Sequence, residues 1–202
     1  MGYRRLVRSE LPVDTTALAR FLIGKAMVRE TPEGVLSGII VETEAYGVGD
    51  AAGHAYRGIT PRTRSLFLEP GHAYIYLAYG SAHMLNVSSE AAGVGAGVLI
   101  RALEPREGVA LMQRNRRTER LRDLTRGPGR LAQALEIGPW ADGLDLCREG
   151  PLWLAHGDLG GDGDVGEIGQ GVRIGLSREV DRPLRFYVRG NRFVSGPRSL
   201  NV

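Results

Sequence analysis

The sequence predicts an α+β fold, a single domain over residues 1–202 with a curved, largely antiparallel β-sheet flanked by helices. Strand and helix patterns are mixed without the regular βαβ alternation of a doubly wound parallel sheet. Turn residues join several strands that follow each other directly, as in antiparallel hairpins. The 202 residues suit one domain, or at most two small ones, and no repeat, low-complexity tract or linker divides them.

The first elements follow from capping and turn residues. Asp14 can N-cap a short helix that ends at Gly24. Segments 25–29 and 36–46 are predicted strands around a Pro-Glu-Gly turn. The Gly-rich segment 47–61 is predicted to be an irregular loop that carries His54, and loops often hold functional residues.

The middle of the chain predicts a hairpin and a further strand. Strands at 72–78 and 83–88 flank Gly80-Ser81, a suitable two-residue turn. Tyr79 then lies near the hairpin tip, where a large aromatic side chain finds little core. The apolar segment 98–103 is another strand, and it carries Arg101.

The C-terminal half predicts short elements. Pro105 suits the first turn of a helix running to about Arg116, and a Gly-Pro-Gly sequence precedes a helix at 130–135. Beyond it, glycine- and aspartate-rich loops alternate with short strands near Leu152, 172–175 and 185–188.

The charge distribution is uneven along the chain. The net charge is +3, but segment 101–130 carries +5, all nine of its cations being arginine, and segment 142–167 carries −6. The arginine segment could face phosphates, or it could be a solvated charged surface with no partner. Lys25 is the sole lysine, and this arginine bias is compatible with bidentate phosphate contacts or with a biased genome composition.

Several classes of protein are disfavoured by composition. Cys147 is the only cysteine, so an intramolecular disulfide and a cysteine-rich zinc site are excluded. The four histidines have no metal-ligand spacing, and we expect no metal and no cofactor. The sequence has no stretch long and apolar enough for a membrane span, and residues 1–12 do not resemble a secretory signal. We therefore expect a cytoplasmic protein without membrane contact.

The segment 41–46 is the strongest sign of chemistry. In a strand, Glu42, Glu44 and Tyr46 share one face, where core strands usually place Val, Ile or Leu. An ionised carboxylate can act as a general base on water. The alternative interpretation is two solvent-facing glutamates on an edge strand. Tyr74 and Tyr76 likewise share a face, and they could line a pocket or pack on the core.

Three other residues extend this hypothesis. Arg101 on an apolar strand requires an anionic partner, which Glu42, Glu44 or a substrate group could supply. Tyr79 at a turn suits a wedge between bases. His54 could be functional or an ordinary loop histidine.

Two weaker signals favour ordinary loops. The glycines of segment 93–97 lack the full nucleotide-binding spacing. The acidic residues Asp158, Asp162, Asp164 and Glu167 lack EF-hand spacing, which favours a flexible acidic loop over a calcium site.

In these motifs the chain resembles the alkyladenine (3-methylpurine) DNA glycosylases. The resemblance keeps the family's order over nearly the whole chain, in the segments 18–24, 41–46, 60–64, 70–71, 74–80, 86–89, 99–105, 127–135 and 183–190. It implies a nucleoid-associated enzyme of base excision repair that flips alkylated or deaminated purines, of the 3-methyladenine, hypoxanthine and ethenoadenine class, out of duplex DNA. The enzyme would then hydrolyse the N-glycosidic bond. The implied partner is double-stranded DNA, bound by a monomer with the hairpin projecting toward it.

The resemblance also implies roles for particular residues. Glu44 would be the general base, and Arg101 would position the carboxylate and the water. Tyr46, His54 and Tyr76 would line the base pocket. In addition, Asn86 would clash with the guanine 2-amino group, and Tyr79 would fill the gap in the base stack.

Some positions depart from the family pattern, and rivals remain. The loop before His54 varies in length in the family, the loop at 91–97 is longer than in some relatives, and position 130 is arginine where lysine is expected. Because Lys25 lies outside the matching motifs, a hydrolytic enzyme without lyase activity is predicted. The rivals are an O-glycoside hydrolase using Glu42 and Glu44, and a damage- or shape-recognising DNA-binding protein without turnover.

Overall fold

The computed structural model describes residues 2–157, 165–197 and 199. Within them, eight strands form one antiparallel sheet, and three α-helices pack against it, which confirms the predicted fold class. The strands are β1 Ala26–Thr31, β2 Gly34–Tyr46, β3 Ala73–Ala78, β4 Ala82–Ser88, β5 Gly97–Pro105, β6 Leu152–Ala155, β7 Ile168–Gly171 and β8 Arg185–Val188. The helices are α1 Thr15–Leu22, α2 Val109–Arg116 and α3 Pro128–Ala134.

The long strand β2 is the centre of the sheet. The main strand order is β3-β4-β5-β2-β1-β6, and β8 joins β2 beside its second half while also pairing with β7. Residues 42–44 of β2 are therefore hydrogen-bonded in register with β5 on one side and with β8 on the other. The interpretation of Glu42 and Glu44 as glutamates on a solvent-facing edge strand is wrong.

The register between β2 and β5 shifts on both sides of Glu42. Ile40 pairs with Leu103 and Thr43 pairs with Ile100, and Arg101 lies at this irregularity. A bulge of this kind re-aims side chains that a regular ladder would direct elsewhere. Here Arg101 meets both glutamates of β2, as described below.

The cores lie on the two sides of the sheet and differ in size. The large one receives α1, α2 and α3, with Leu18, Leu103 and Leu131 among its fully buried members. The small one surrounds Trp153, against which Tyr3 packs edge to face. Asp14 caps α1 by accepting a hydrogen bond from the Ala17 amide at 2.7 Å, as predicted.

Four predicted boundaries require correction. Pro105 ends β5, because the strand continues to pair with β2 at Gly38, so α2 begins only at Val109. Helix α3 begins at Pro128, two residues before the prediction. The strand expected at 172–175 is β7, four residues earlier, in register with β8.

The fourth correction concerns the hairpin between β3 and β4. Its turn is centred on Tyr79 and Gly80, both at positive φ, of 50° and 68°, rather than on Gly80 and Ser81. The Ser81 amide closes it by donating to the Ala78 carbonyl. Positive φ is uncommon for a tyrosine, so the sequence pattern favours a turn at the following pair.

Further short elements are 3-10 helices, including His54–Arg57 in the segment predicted to be irregular. Among the described residues, no helix is long and apolar enough to cross a bilayer. The acidic residues Asp158, Asp162 and Asp164 lie outside the described residues.

Candidate active site

Four charged side chains from three neighbouring strands form one buried network, which we call the ion cluster: Glu42 and Glu44 of β2, Arg101 of β5 and Arg185 of β8. Both glutamates are 0% exposed and Arg101 is 7% exposed. Arg101 joins them, with Nε 3.0 Å from Glu42 Oε1 and Nη1 3.1 Å from Glu44 Oε1. The anionic partner that the sequence required for Arg101 is therefore both glutamates.

Glu42 is held by protein groups at both oxygens. Its Oε1 accepts from Arg101 and from Arg185 Nη1 at 2.9 Å, and its Oε2 accepts from the Ser195 amide at 2.7 Å. Arg185 is itself fully buried and donates to the Val172 carbonyl. This end of the ion cluster is closed, and Glu42 is not among the residues lining the adjacent cavity.

Glu44 has different neighbours. Its Oε1 is ion-paired with Arg101 Nη1 and accepts a hydrogen bond from the Ile174 amide at 2.7 Å, and its Oε2 accepts from the Tyr46 hydroxyl at 2.8 Å. Glu44 does not line the cavity, but Arg101, Tyr46 and Ile174 all do. The carboxylate is thus in contact with three residues that line the open space.

The charge of Arg101 is stabilised by the two glutamates. Burial opposes the charge of Arg101, but Glu44 and Glu42 outweigh that effect and raise the pKa of its guanidinium. Burial, reinforced by the negative charge of Glu44, strongly raises the pKa of the Tyr46 phenol. Tyr46 is therefore a neutral hydrogen-bond donor to Glu44.

The cavity next to the ion cluster has a volume of about 510 Å³. Its lining brings together residues from distant parts of the chain, and all the predicted site residues except Glu44 are among them: Tyr46, His54, Tyr76, Tyr79, Asn86 and Arg101. Tyr74 and the segment 174–176 form another part of the wall. A cavity of this size is in the range of about 300–1,000 Å³ typical of small-ligand sites.

One wall of the cavity is a group of three rings. The Tyr74 and Tyr76 rings are stacked with centroids 5.7 Å apart, and the His54 ring meets Tyr76 edge to face at 4.3 Å. His54 Nδ1 is 2.9 Å from the Tyr74 hydroxyl. Both interpretations of the tyrosine pair hold in part, because Tyr74 is buried while its ring also lines the cavity.

The titration of these rings favours neutral forms. Partial burial of the ring, with the nearby charge of Arg62, lowers the pKa of His54 below its ordinary value of 6.5. Burial raises the pKa of Tyr76 to about 12, with contributions from Tyr74 and Glu44. At neutral pH the wall therefore presents an imidazole and uncharged phenols.

Two predicted residues lie on β4 and at the hairpin tip. Asn86 is 6% exposed, and its Nδ2 donates to the Tyr74 carbonyl at 3.2 Å. Tyr79 is 90% exposed at the cavity margin. An aromatic side chain this exposed has no role in the core of the described residues.

A buried ion pair that the sequence did not indicate lies behind Tyr46. Arg173 makes a bidentate contact with Asp50, and its Nη1 also donates to the Ala45 carbonyl at 2.9 Å. Its guanidinium lies 4.6 Å from the centroid of the Tyr46 ring. The next residue, Ile174, supplies the amide bonded to Glu44, so this pair fixes two partners of the carboxylate.

The arginine segment contributes to a separate groove of about 710 Å³ beside the hairpin. Arg116, Arg126 and Arg130 line it together with residues 81–84 of the hairpin. Burial, followed by repulsion from neighbouring arginines, lowers the pKa of Arg116 and of Arg126. Mutual repulsion of this kind favours an anionic occupant.

Two chemical alternatives can be assessed from this geometry. Glu42 and Glu44 share one arginine and neither lines the cavity, so they do not flank a space where an O-glycoside could bind between them. In the described part of the chain, His, Cys, Asp and Glu side chains form no group of three or more that could hold a metal ion.

Comparison with known proteins gives a consistent result. A family model described as methylpurine-DNA glycosylase matches residues 9–192. A protein of Mesorhizobium japonicum is 68% identical over 195 residues, covering 96% of this chain and 92% of its own. A protein of Paraburkholderia phytofirmans is 54% identical over 199 residues, covering 98% of this chain and 91% of its own. Both are provisionally named 3-methyladenine DNA glycosylases.

Proposed function

Because this chain belongs to the methylpurine-DNA glycosylase family, we propose that it removes alkylated or deaminated purines from duplex DNA by hydrolysing the N-glycosidic bond. The proposed substrates are 3-methyladenine, hypoxanthine and ethenoadenine. The observation that carries the proposal is the link from a buried carboxylate to an aromatic cavity, through the hydrogen bond between Tyr46 and Glu44.

The cavity suits a purine that has left the base stack. A target base inside a duplex cannot be reached, so it must be extruded and held by stacking and edge contacts. Tyr46, His54 and Tyr76 provide the rings for such contacts. Stacking on aromatic side chains contributes about 1–3 kcal/mol per base, which offsets much of the cost of unstacking.

The ion cluster supplies the chemistry. Glu44 acts as the general base for a water that attacks the sugar C1′, and the purine leaves with the electron pair of the broken C1′–N bond. Arg101 forms an ion pair with Glu44 and fixes the orientation of its carboxylate. An alkylated purine is often cationic and a good leaving group, so one base beside an electron-rich pocket is sufficient.

The remaining contacts set selectivity and position. Asn86, fixed to the Tyr74 carbonyl, excludes guanine by a clash with its 2-amino group. Tyr79 enters the gap that the extruded base leaves, and the groove of Arg116, Arg126 and Arg130 follows the phosphate backbone.

The reaction proceeds without a Schiff base. Lys25 is the only lysine in the sequence, its Nζ lies 4.7 Å from the centroid of the Phe21 ring, and it does not line the cavity. A lyase requires an amine nucleophile at the sugar. We therefore expect an intact strand at the abasic product, and scission without added base would contradict this expectation.

The test is release of free base from a duplex with one hypoxanthine, ethenoadenine or 3-methyladenine, measured under single-turnover conditions for the protein and for Glu44→Gln. We expect the variant to lose about 10²–10⁴-fold in rate, the range of general acid–base catalysis, while it still binds the damaged duplex. An undiminished rate in Glu44→Gln would remove the proposed role of Glu44. Binding by the protein without any release would instead support a damage-binding protein without turnover.

A further inference from the structure

The buried ion pair behind the Tyr46 ring places two opposite charges next to the cavity. Asp50 is 1% exposed and Arg173 is 4% exposed, and Arg173 Nη2 lies 3.1 Å from Asp50 Oδ1. The Asp50 carboxylate also accepts from the Ala52 amide at 3.0 Å, and Arg173 donates to the Ala45 carbonyl at 2.9 Å. Protein groups therefore hold both charges in fixed positions.

The positive charge of this pair acts on the ring of Tyr46. The Arg173 guanidinium carbon lies 4.6 Å from the ring centroid, within the range of about 6 Å for cation–π attraction. The Arg173 side chain is 0% exposed, whereas Tyr46 forms part of the cavity wall. Burial and the charge of Glu44 raise the pKa of the Tyr46 phenol, and the charge of Arg173 opposes that rise. A positive charge behind the ring weakens the attraction between the ring and a cation in the cavity.

Asp50 opposes the positive field of two guanidinium groups. It pairs with Arg173, and its Oδ2 lies 3.7 Å from Nη1 of the half-exposed Arg182. Without the Asp50 charge, both guanidinium groups would repel a cation bound against Tyr46. A full charge about 10 Å away, in a medium of effective dielectric constant about 20, changes a binding constant by about 10-fold. The charge of Asp50 is therefore large enough to alter which bases the cavity accepts.

We propose that Asp50 is a specificity-determining residue, whose charge cancels that of Arg173 and so lets the cavity accept a cationic purine as well as a neutral one. This inference rests on the proposed glycosylase function and adds a determinant of its substrate range. A 3-methyladenine nucleotide carries a positive charge until its glycosidic bond breaks, whereas a hypoxanthine nucleotide is neutral. The charge behind Tyr46 should act on the first lesion and not on the second.

The test is the ratio of two single-turnover rates at saturating enzyme, base release from a 3-methyladenine duplex divided by base release from a hypoxanthine duplex. The ratio is measured for the unmodified protein, Asp50→Asn, Arg173→Gln and the double variant, each with its folded fraction determined by urea unfolding. The matched control is Asp145→Asn, which removes a carboxylate charge from the ion pair with Arg8.

We expect Asp50→Asn to lower the ratio by about 10-fold and Arg173→Gln to raise it by about 3–10-fold. The double variant removes both charges, so its ratio should return to that of the unmodified protein, and Asp145→Asn should leave the ratio unchanged. Both single variants break the same ion pair. A purely structural role would therefore slow release in both without moving the ratio in opposite directions.

Each contrary outcome has a distinct meaning. An unchanged ratio in both single variants, or a shift in the same direction, would overturn the role of Asp50 in specificity and leave the proposed function standing. If Asp50→Asn does not fold, a ratio in Arg173→Gln that stays at or falls below that of the unmodified protein would overturn it equally. Failure of the unmodified protein to release either base would overturn the proposed function and this inference with it.

Discussion

The two ends of the ion cluster contain the same carboxylate chemistry in different surroundings. At the closed end, Glu42 is bonded to Arg101, Arg185 and the Ser195 amide. At the open end, Glu44 is bonded to Arg101, to the Ile174 amide and to a phenol that lines the cavity. Only Thr43 separates the glutamates along β2, and both glutamates are fully buried.

This difference indicates that Glu42 is a structural carboxylate, whereas Glu44 contacts residues that line the cavity. Burial is equal at the two ends, and Glu42 has the more ion pairs, with Arg101 and Arg185 against Arg101 for Glu44, so neither property identifies the reactive group. The distinguishing property is the position of the partners, because Tyr46 and Ile174, which hydrogen-bond Glu44, line the cavity, whereas Arg185 and Ser195, which hydrogen-bond Glu42, do not.

Glu42→Gln should destabilise the protein strongly. The substitution removes the carboxylate that pairs with both Arg101 and Arg185, so the ion cluster keeps one carboxylate for two buried guanidinium groups. Breaking a buried ion pair typically costs about 3–5 kcal/mol. Urea unfolding of the variant measures the loss. The matched control is Glu33→Gln, which breaks the bidentate but exposed pair with Arg114 and should change stability little. Equal stability of Glu42→Gln and the unmodified protein would show that the closed end is not structural.

Asp50→Asn should act on the open end through Arg173. Weakening the contact between Asp50 and Arg173 frees the guanidinium behind Tyr46 and shifts the Ile174 amide. Misplacement of catalytic groups by about 1 Å can cost about 100-fold in rate. We therefore expect base release to slow about 10–100-fold. Single-turnover rates with saturating enzyme report it. The control is Asp145→Asn. This variant weakens an ion pair with Arg8, in which the two side chains are 2.5 Å apart, and neither residue lines the cavity. If both variants lose rate equally, Asp50 affects stability rather than position.

Much of this arrangement was predictable from sequence, and the remainder has a common cause. The spacing of Glu42, Glu44 and Tyr46 predicts that they share one face of a strand. The position of Arg101 on an apolar strand predicts a buried anionic partner for it. The pair of Asp50 and Arg173 was not predictable, because its members are 123 residues apart and neither lies in a periodic pattern. The amide of Ile174 carries no side-chain signal at all. Specific roles came from the family resemblance, not from spacing.

Tyr79→Ala should weaken binding to damaged duplex about 10-fold, from the loss of stacking worth about 1–3 kcal/mol per base. Folding should be unaffected because the side chain is 90% exposed. The positive φ of this residue could confuse the result, so Tyr79→Asn is a second variant, since asparagine tolerates that conformation. Unchanged affinity for the damaged duplex in both variants would contradict the insertion of Tyr79 into the base stack.

Acidic pH should lower the rate of base release from cationic lesions, relative to the rate from neutral lesions, by about a few-fold. Because the folded-state pKa of His54 lies below 6.5, the stability it contributes is present above pH 6.5 and is lost as the pH falls through that lower value. A protonated His54 in the cavity wall repels a cationic alkylated base more than hypoxanthine. The ratio of single-turnover rates for the two lesions should fall toward acidic pH, and His54→Gln should abolish the trend. A ratio that rises toward acidic pH would contradict this assignment.

The division between the two ends of the ion cluster is tested most directly by comparing base release in Glu42→Gln and Glu44→Gln, with each rate corrected for the folded fraction. We predict that Glu44→Gln loses about 10²–10⁴-fold, while folded Glu42→Gln keeps most of its rate and loses only what a less restrained Arg101 accounts for. Equal losses in the two variants, or a larger loss in Glu42→Gln, would contradict the assignment of the chemistry to Glu44.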